Sequence, residues 1–204
     1  MDFLEFVAYL LGDNTAWRLG RVSFNPFKHI DPFGTILLPA LLLLLRSPFL
    51  FGYAKPVPVN FRALRHPRRD MILVAAAGPA MNLLLATLAA AAFHLLAYTP
   101  DVVVRFLDAN LKRALWLNVI LAVFNLLPIP PLDGGRILVG ILPKALAVPF
   151  SRIEPYGLLL LIGLIIILPL FGERFGVDLD FITQIITRSA SAIIGVILHL
   201  TANA

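Results

Sequence analysis

The chain has 204 residues, of which 59% are hydrophobic and 14% are charged. This composition excludes a water-soluble domain and predicts an integral membrane protein, with the lipid bilayer as its environment. The net charge of +5 is typical of basic cytoplasmic loops rather than of nucleic-acid binding, and the absence of cysteine excludes disulfides and thiolate metal ligands.

The N-terminal residues have the pattern of a short helix. Residues 1–11 predict a helix that ends at Gly12, because glycine is common just after the end of a helix. The opening Met1-Asp2-Phe3-Leu4-Glu5 lacks the pattern of a signal peptide and has the character of a helix tail rather than of a protein start. From Arg18 to Asp31 polarity alternates between turn residues, which predicts short strands or an extended hairpin.

The next segments predict a first entry into the membrane, followed by a surface loop. Thr35–Leu45 is apolar and is expected to enter the bilayer. Phe51–Asn60 contains alternate prolines, so it should be extended, as a sheet edge or as a loop at the membrane surface. Basic residues dominate Lys55–Arg69, which places this loop in the cytoplasm.

The remaining apolar runs predict a helical bundle with a polar interior. Met71–Tyr98 and Tyr156–Phe171 are plain spans, whereas other runs are short or are broken by prolines. Phe181–Leu200 could span the bilayer or lie along its surface. We predict an all-α integral membrane protein of about four to six segments, some broken, with a small β element on the cytoplasmic side. We expect residues 1–204 to form a single domain, because no repeat or linker divides them.

Asn82 is a polar residue inside the longest apolar run. Gly78 and Pro79 precede it, and they allow a neighbouring helix to approach closely and leave a backbone carbonyl without its helical partner. The Asn82 side chain offers a donor and an acceptor in a region without water. Taken alone, this pattern is more often a helix-packing contact than a functional site.

Asp133 is the most informative residue of the sequence. It follows the apolar stretch Ala114–Leu132, and an ionisable group at membrane depth costs roughly 2.5–3.5 kcal/mol on insertion scales. The prolines before it should break the helix, and Gly134 and Gly135 allow a tight turn with close backbone approach. The alternative is a structural ion pair with Arg136 near the interface.

The motifs of the chain, in their order and spacing, resemble those of a known family. The chain is similar to the site-2 proteases, the intramembrane zinc metalloproteases of peptidase family M50, and especially to their small bacterial members. The matching motifs cover almost the whole chain: Leu11–Ala16, Gly20-Arg21, Asn25-Pro26, His29–Thr35, Lys55–Asn60, Gly78–Asn82 and Asn125–Gly135.

The resemblance implies a proteolytic site. In that family a His-Glu-x-x-His helix supplies two zinc ligands and a general base, and an aspartate in a Leu-Asp-Gly motif, matched by Asp133, supplies the third ligand. Asn82 matches an asparagine that helps to hold the substrate or the oxyanion. The extended region with Lys55, Pro56, Val57 and Pro58 resembles segments that guide a substrate strand by edge pairing. The expected location is the bacterial cell (inner) membrane, as a multi-pass protein, with transmembrane proteins as substrates or partners.

The catalytic helix of that family is not matched. The family spacing puts the second histidine on Leu4, the glutamate on Met1 and the first histidine before the chain begins. The four histidines, His29, His66, His94 and His199, lie too far apart to replace the motif, and each has an ordinary reading as a turn, surface or packing residue. We therefore expect this chain to retain no zinc and to perform no hydrolysis.

Three hypotheses follow from these observations. The first is an intramembrane zinc endopeptidase whose catalytic helix has been lost, miscalled or altered in this version. The second is a non-catalytic pseudoprotease that binds transmembrane partners through the Asn82 cavity and the extended edge. The third, a small transporter or channel lined by polar residues, has the least support because the chain has no inverted repeat.

Overall fold

The computed structural model describes residues 3–18, 32–37, 40, 43–44, 60 and 63–203. The chain divides into two compact units, residues 1–70 and residues 71–204. In the described residues all regular structure is helical and no strand occurs. The expectation of an all-α membrane protein is confirmed at this level.

In the first unit, helix α1 (Phe3–Leu10) ends near Gly12, as predicted, and Gly12 has a positive φ of 112°. A short helix α2 (Thr15–Arg18) and a π-helical segment (Pro32–Leu37) follow. Arg18 closes α2, so it does not begin a strand. Residues 19–31 and 51–59, where the β element was predicted, lie outside the described residues.

The second apolar run of the sequence forms one long helix. Helix α3 (Pro67–Ala91) continues as a 3-10 helix (Ala92–Tyr98), and together they are long and apolar enough to cross a membrane. Pro79 lies inside α3, in the middle of the motif Gly78–Asn82. The predicted span Met71–Tyr98 is therefore confirmed as a helix.

Prolines interrupt the next helical region at the predicted place. Helix α4 (Asp101–Asn125) ends before Pro128, and the chain turns through residues 126–132 before helix α5 (Asp133–Ile141) begins. The peptide bond between Pro130 and Pro131 is cis. Asp133 is thus the first residue of a new helix.

The C-terminal third contains two further candidate spans. One is a composite helix over Lys144–Phe175, built from α6 (Lys144–Ser151), α7 (Gly157–Ile162) and α8 (Leu168–Phe175) with a 3-10 turn and a π-helical segment between them. The other is α9 (Phe181–Leu200), for which the sequence left two orientations open. By length and composition α9 is the third helix in the described part of the chain that could cross a membrane.

The core of the second unit is formed mainly by α3, α4 and α9. Small residues of α3 pack against branched residues of α4 and α9, and the α9 contacts recur every four or seven residues, which aligns them on one helix face. Large apolar side chains such as Leu159 and Leu170 remain exposed on the outside, as expected where lipid replaces water. The buried residues at the centre of this core are Ala86, Ala90, Leu115, Val119, Ile182, Ile186 and Ala190.

Two long-range hydrogen bonds join the end of α9 to the end of α3. His94 Nε2 lies 2.7 Å from the carbonyl oxygen of Thr201, and Asn203 Nδ2 donates to the carbonyl oxygen of Ala90 at 2.8 Å. His94 is exposed and bonds to the backbone of the segment after α9, whereas the sequence suggested a packing or interface residue. We call this pair of bonds the C-terminal latch.

Candidate functional site

Asp133 is held by the turn that precedes α5. The chain comes back on itself after α4, and the amides of Gly135 and Arg136 donate to the carbonyl oxygen of Leu132 at 3.0 and 3.3 Å. An acidic side chain in the first turn of a helix interacts favourably with the helix dipole. These hydrogen bonds fix the position of the Asp133 backbone, from which its carboxylate extends.

Three glycines allow this turn to pack tightly. A Cβ on Gly134 would lie 2.2 Å from the carbonyl oxygen of Leu126, and one on Gly135 would lie 2.7 Å from the nitrogen of Pro130. The close backbone approach predicted for these two glycines is confirmed. Gly157, at the start of α7, has the same role, since its Cβ would lie 2.3 Å from the carbonyl oxygen of Pro130. Sequence reasoning missed Gly157 because it begins an apolar run without a recognisable motif.

The Asp133 carboxylate lies close to Gly78, the first residue of the motif Gly78–Asn82. A Cβ built on Gly78 would lie 3.1 Å from Oδ2 of Asp133, so the carboxylate sits directly against the backbone of α3. Asn82 follows Gly78 by four residues on α3, about one helical turn or 6 Å along the axis. We call Gly78, Asn82 and Asp133 the polar site.

Asn82 differs from the other asparagines of the apolar helices. Asn118 and Asn125 each donate to a carbonyl oxygen four residues earlier in α4, at 2.8 and 3.0 Å. Within the part of the chain that the structure describes, the half-buried Asn82 side chain makes no hydrogen bond. Its amide therefore keeps donor and acceptor capacity for another group.

Arg136 and Glu154 form an ion pair beside the polar site. Arg136 Nη2 lies 3.2 Å from Glu154 Oε1, which joins α5 to the 3-10 turn before α7. Both side chains are partly exposed, so the pair contributes no more than about 1 kcal/mol. Arg136 thus has Glu154 as an ion-pair partner, and its charge also acts on Asp133, the partner that the sequence suggested.

The donor set of the described residues does not fit a zinc ion. Among residues 3–18, 32–37, 40, 43–44, 60 and 63–203, no three His, Asp or Glu side chains come together as metal ligands. His66 and His199 are exposed. Leu4 lies on α1 and offers no donor atom, whereas Met1, His29 and Lys55, Pro56, Val57 and Pro58 lie outside the described residues.

Two buried acids in the first unit were not singled out by the sequence. Glu5 is 2% exposed and Asp13 is 3% exposed. Asp13 accepts hydrogen bonds from the Thr15 amide at 2.9 Å and from the Asn60 amide at 2.7 Å. The bond to Asn60 spans 47 residues, so no local pattern could have predicted it.

These features define a class of helical membrane protein in which a half-buried carboxylate lies against the helix that carries a half-buried amide. The family model of peptidase family M50 matches residues 97–170, which include α4, the turn before Asp133 and α5. No solved structure matches the chain significantly.

The chain is also similar in sequence to individual bacterial proteins. The chain is 40% identical over 168 residues to the protein named "Putative zinc metalloprotease YwhC" of Bacillus subtilis, covering 79% of this chain and 72% of that protein. It is 33% identical over 172 residues to "Putative zinc metalloprotease Rip2" of Mycobacterium tuberculosis, covering 84% of this chain and 64% of that protein. The Rip2 protein of Mycolicibacterium smegmatis is 32% identical over 132 residues, and the match spans 47% of its length. The chain belongs to peptidase family M50, the site-2 protease family.

Proposed function

We propose that the polar site is part of the active site of an intramembrane zinc endopeptidase that acts on helices of membrane proteins. The observation that supports this most strongly is the approach of Asp133 to Gly78, because it brings together two of the motifs of the family resemblance, Gly78–Asn82 and Asn125–Gly135. In this proposal Asp133 is a metal ligand and Asn82 holds the substrate or the oxyanion. Zinc, when bound in this family, supplies Lewis acidity and an activated water.

We further propose that these 204 residues by themselves retain no zinc and hydrolyse no peptide bond. A catalytic zinc site needs three protein ligands, and Asp133 is the only ligand of the family pattern that the sequence matches. A single carboxylate does not hold zinc firmly against water and chelating buffers.

Metal analysis of the purified chain in detergent tests this proposal. We expect much less than one zinc per chain, the same content in Asp133→Ala and in the control Asp101→Ala, and no cleavage of a single-span helical substrate. One zinc per chain that Asp133→Ala removes and Asp101→Ala retains would overturn the proposal of inactivity, while it would support the role of Asp133 as a ligand.

A second candidate function is a non-catalytic pseudoprotease that binds transmembrane partners. Leu4 at the position of a histidine ligand favours it, and so does the Asn82 amide, which has no hydrogen bond among the described residues. Asn82→Leu should then weaken the capture of membrane helices, whereas Asp133→Ala should leave capture unchanged. Asn118→Leu is the matched control, because that amide already bonds within α4. Capture that is insensitive to Asn82→Leu would argue against this function.

We propose that Lys55, Pro56, Val57 and Pro58 guide a substrate segment by edge pairing. Alternate prolines keep such a segment extended and prevent it from entering the middle of a sheet. A photoreactive residue at Val57 should crosslink a bound membrane helix, whereas one at Val102, which is 95% exposed on α4, should not. Equal crosslinking at the two positions would contradict this role.

We propose one membrane domain over residues 1–204, with about four to six segments and a small β element on the cytoplasmic side. The proposed location is the bacterial cell (inner) membrane, and the proposed partners are transmembrane proteins. The three candidate spans in the described part of the chain support the membrane segments, and the bacterial relatives support the location.

A further inference from the structure

Two cavities lie side by side on the surface of α4, away from the polar site. The first has a volume of about 410 Å³, and its apolar wall is formed by Phe93, Leu115, Ile194 and Leu198. The second has a volume of about 510 Å³ and is lined by Lys112, Arg113, Trp116 and Leu117. Lys112 and Trp116 line both, so they form a ridge between the first cavity, whose walls come from several helical segments, and an open surface formed by α4 alone.

The ridge carries an excess of positive charge. Lys112 Nζ pairs with Asp108 Oδ2 at 2.7 Å, and Asp108 also lines the first cavity. Arg113 has no ion pair with any residue that the structure describes. Two cations and one carboxylate leave a net charge of +1, which matches the single charge of a phosphodiester.

Aromatic side chains belong to the segments that form the ridge and the first cavity. Phe93 and Tyr98 belong to the last turns of the candidate span Pro67–Tyr98, and Tyr98 is 89% exposed. Trp116 is 51% exposed at the point where the charged half of α4 gives way to its apolar half. Aromatic side chains beside basic residues are characteristic of the boundary between membrane and water.

Hydrogen bonds hold part of the wall of the first cavity in place. Asn203 lines it and is a member of the C-terminal latch, which holds the end of α9 next to the end of α3. A recess that is largely formed before binding loses less entropy when a flexible acyl chain enters it.

We propose that this surface is a binding site for one anionic diacyl phospholipid. Its phosphate contacts Lys112 and Arg113, one acyl chain occupies the first cavity, and the other lies along the open surface beside Trp116 and Leu117. A zwitterionic lipid fits the recesses equally well but leaves the surplus positive charge uncompensated. The site therefore prefers an anionic phospholipid, and it is independent of the proposed proteolytic function.

The two tryptophans of the chain make a direct test possible. Trp17→Phe leaves Trp116 as the sole fluorophore, and this variant is reconstituted into phosphatidylcholine vesicles. A low fraction of brominated phosphatidylglycerol or of brominated phosphatidylcholine is then added as a quencher. A basic residue near the membrane surface strengthens the binding of an anionic lipid roughly fivefold. We expect phosphatidylglycerol to quench Trp116 at a correspondingly lower fraction.

A matched pair of variants separates the site from general membrane charge. Arg113→Gln should remove most of the preference for phosphatidylglycerol, whereas Arg105→Gln, on the same helix but outside both cavities, should keep it. Equal quenching by the two lipids, or the same loss in both variants, would overturn the proposal and indicate non-specific surrounding lipid. If the chain forms dimers and dimer formation reduces the quenching by both lipids, the proposal would also be overturned. A second copy of the chain, and not a lipid, would then cover this surface.

Discussion

At the scale of single residues, the missing side chain of Gly78 matters as much as the carboxylate of Asp133. The carboxylate approaches α3 at the one place where no Cβ stands between it and the backbone. A methyl group there would lie within 3.1 Å of Oδ2, which is tighter than an ordinary van der Waals contact. The neighbour Asp133, and not the conformation of its own helix, is what disfavours a larger residue at Gly78.

This relationship predicts an energetic coupling between Gly78 and Asp133. In the Asp133→Ala background, Gly78→Ala should stabilise α3 by about 0.5–1 kcal/mol, because alanine favours a helix over glycine. With Asp133 present, the same substitution should lose that gain, and the coupling should amount to about 0.5–3 kcal/mol. Thermal unfolding of the four proteins in detergent measures this coupling.

Gly195 provides the control for that cycle. It lies in α9, and a Cβ at this position would meet nothing within 4 Å. Gly195→Ala should be neutral or stabilising whether or not Asp133 is present. Additive effects of Gly78→Ala and Asp133→Ala would show that the two residues do not contact each other.

Asp13 is the second residue whose substitution should have a measurable effect on stability. Asp13→Ala removes a buried acceptor from the amides of Thr15 and Asn60, and the loss of such bonds to a charged group costs about 1–3 kcal/mol. Hydrogen exchange of these two amides should accelerate. The exposed neighbour Asn14 supplies the control Asn14→Ala, which should leave both exchange rates unchanged. Protection that survives Asp13→Ala would refute this role.

The sequence predicted those site residues whose local pattern is unusual. A carboxylate between prolines and paired glycines, and an amide after Gly78-Pro79, stand out against an apolar background, so Asp133 and Asn82 could be selected. The approach of Asp133 to Gly78 depends on the packing of α5 against α3, which no single segment encodes. Gly157 was missed for the same reason, because its neighbours in space are the distant prolines.

At the scale of elements, the points where a helix ends could be predicted from the sequence better than the course of the uninterrupted helices. The end of α4 and the start of α5 were predictable because proline cannot continue a helix. The composite character of Lys144–Phe175 was less predictable, since its π-helical segment Gly163–Ile167 contains no residue that enforces one. The role of α9 stayed open because its sequence combines a polar stripe with apolar residues.

Two glycines of the same composite span predict opposite outcomes. Gly157→Ala places a methyl group 2.3 Å from the carbonyl oxygen of Pro130, and such overpacking costs about 1–3 kcal/mol. Gly163→Ala meets nothing within 4 Å and should be neutral or slightly stabilising. Thermal unfolding in detergent compares them, and equal effects would show that α7 does not pack closely on the Pro130 turn.

At the scale of the whole molecule, the absence of cysteine makes the membrane topology directly measurable. From the basic residues at the start of α3 we predict that this end faces the cytoplasm and that the start of α4 faces the opposite side. In intact cells a membrane-impermeant maleimide should label Val102→Cys, which is highly exposed, but not Arg69→Cys. Both positions should react after the cells are broken. Labelling of Arg69→Cys in intact cells would reverse the assigned orientation.

The C-terminal latch also bears on how the protein is made. His94 is 107 positions from its partner Thr201, and Ala90 is 113 positions from its partner Asn203, so the helical segment that carries Ala90 and His94 is synthesised well before its partners. At about 5–20 residues per second, this interval lasts roughly 5–20 s. During that time the flank of α3 that these bonds later cover is accessible to lipids and to the insertion machinery.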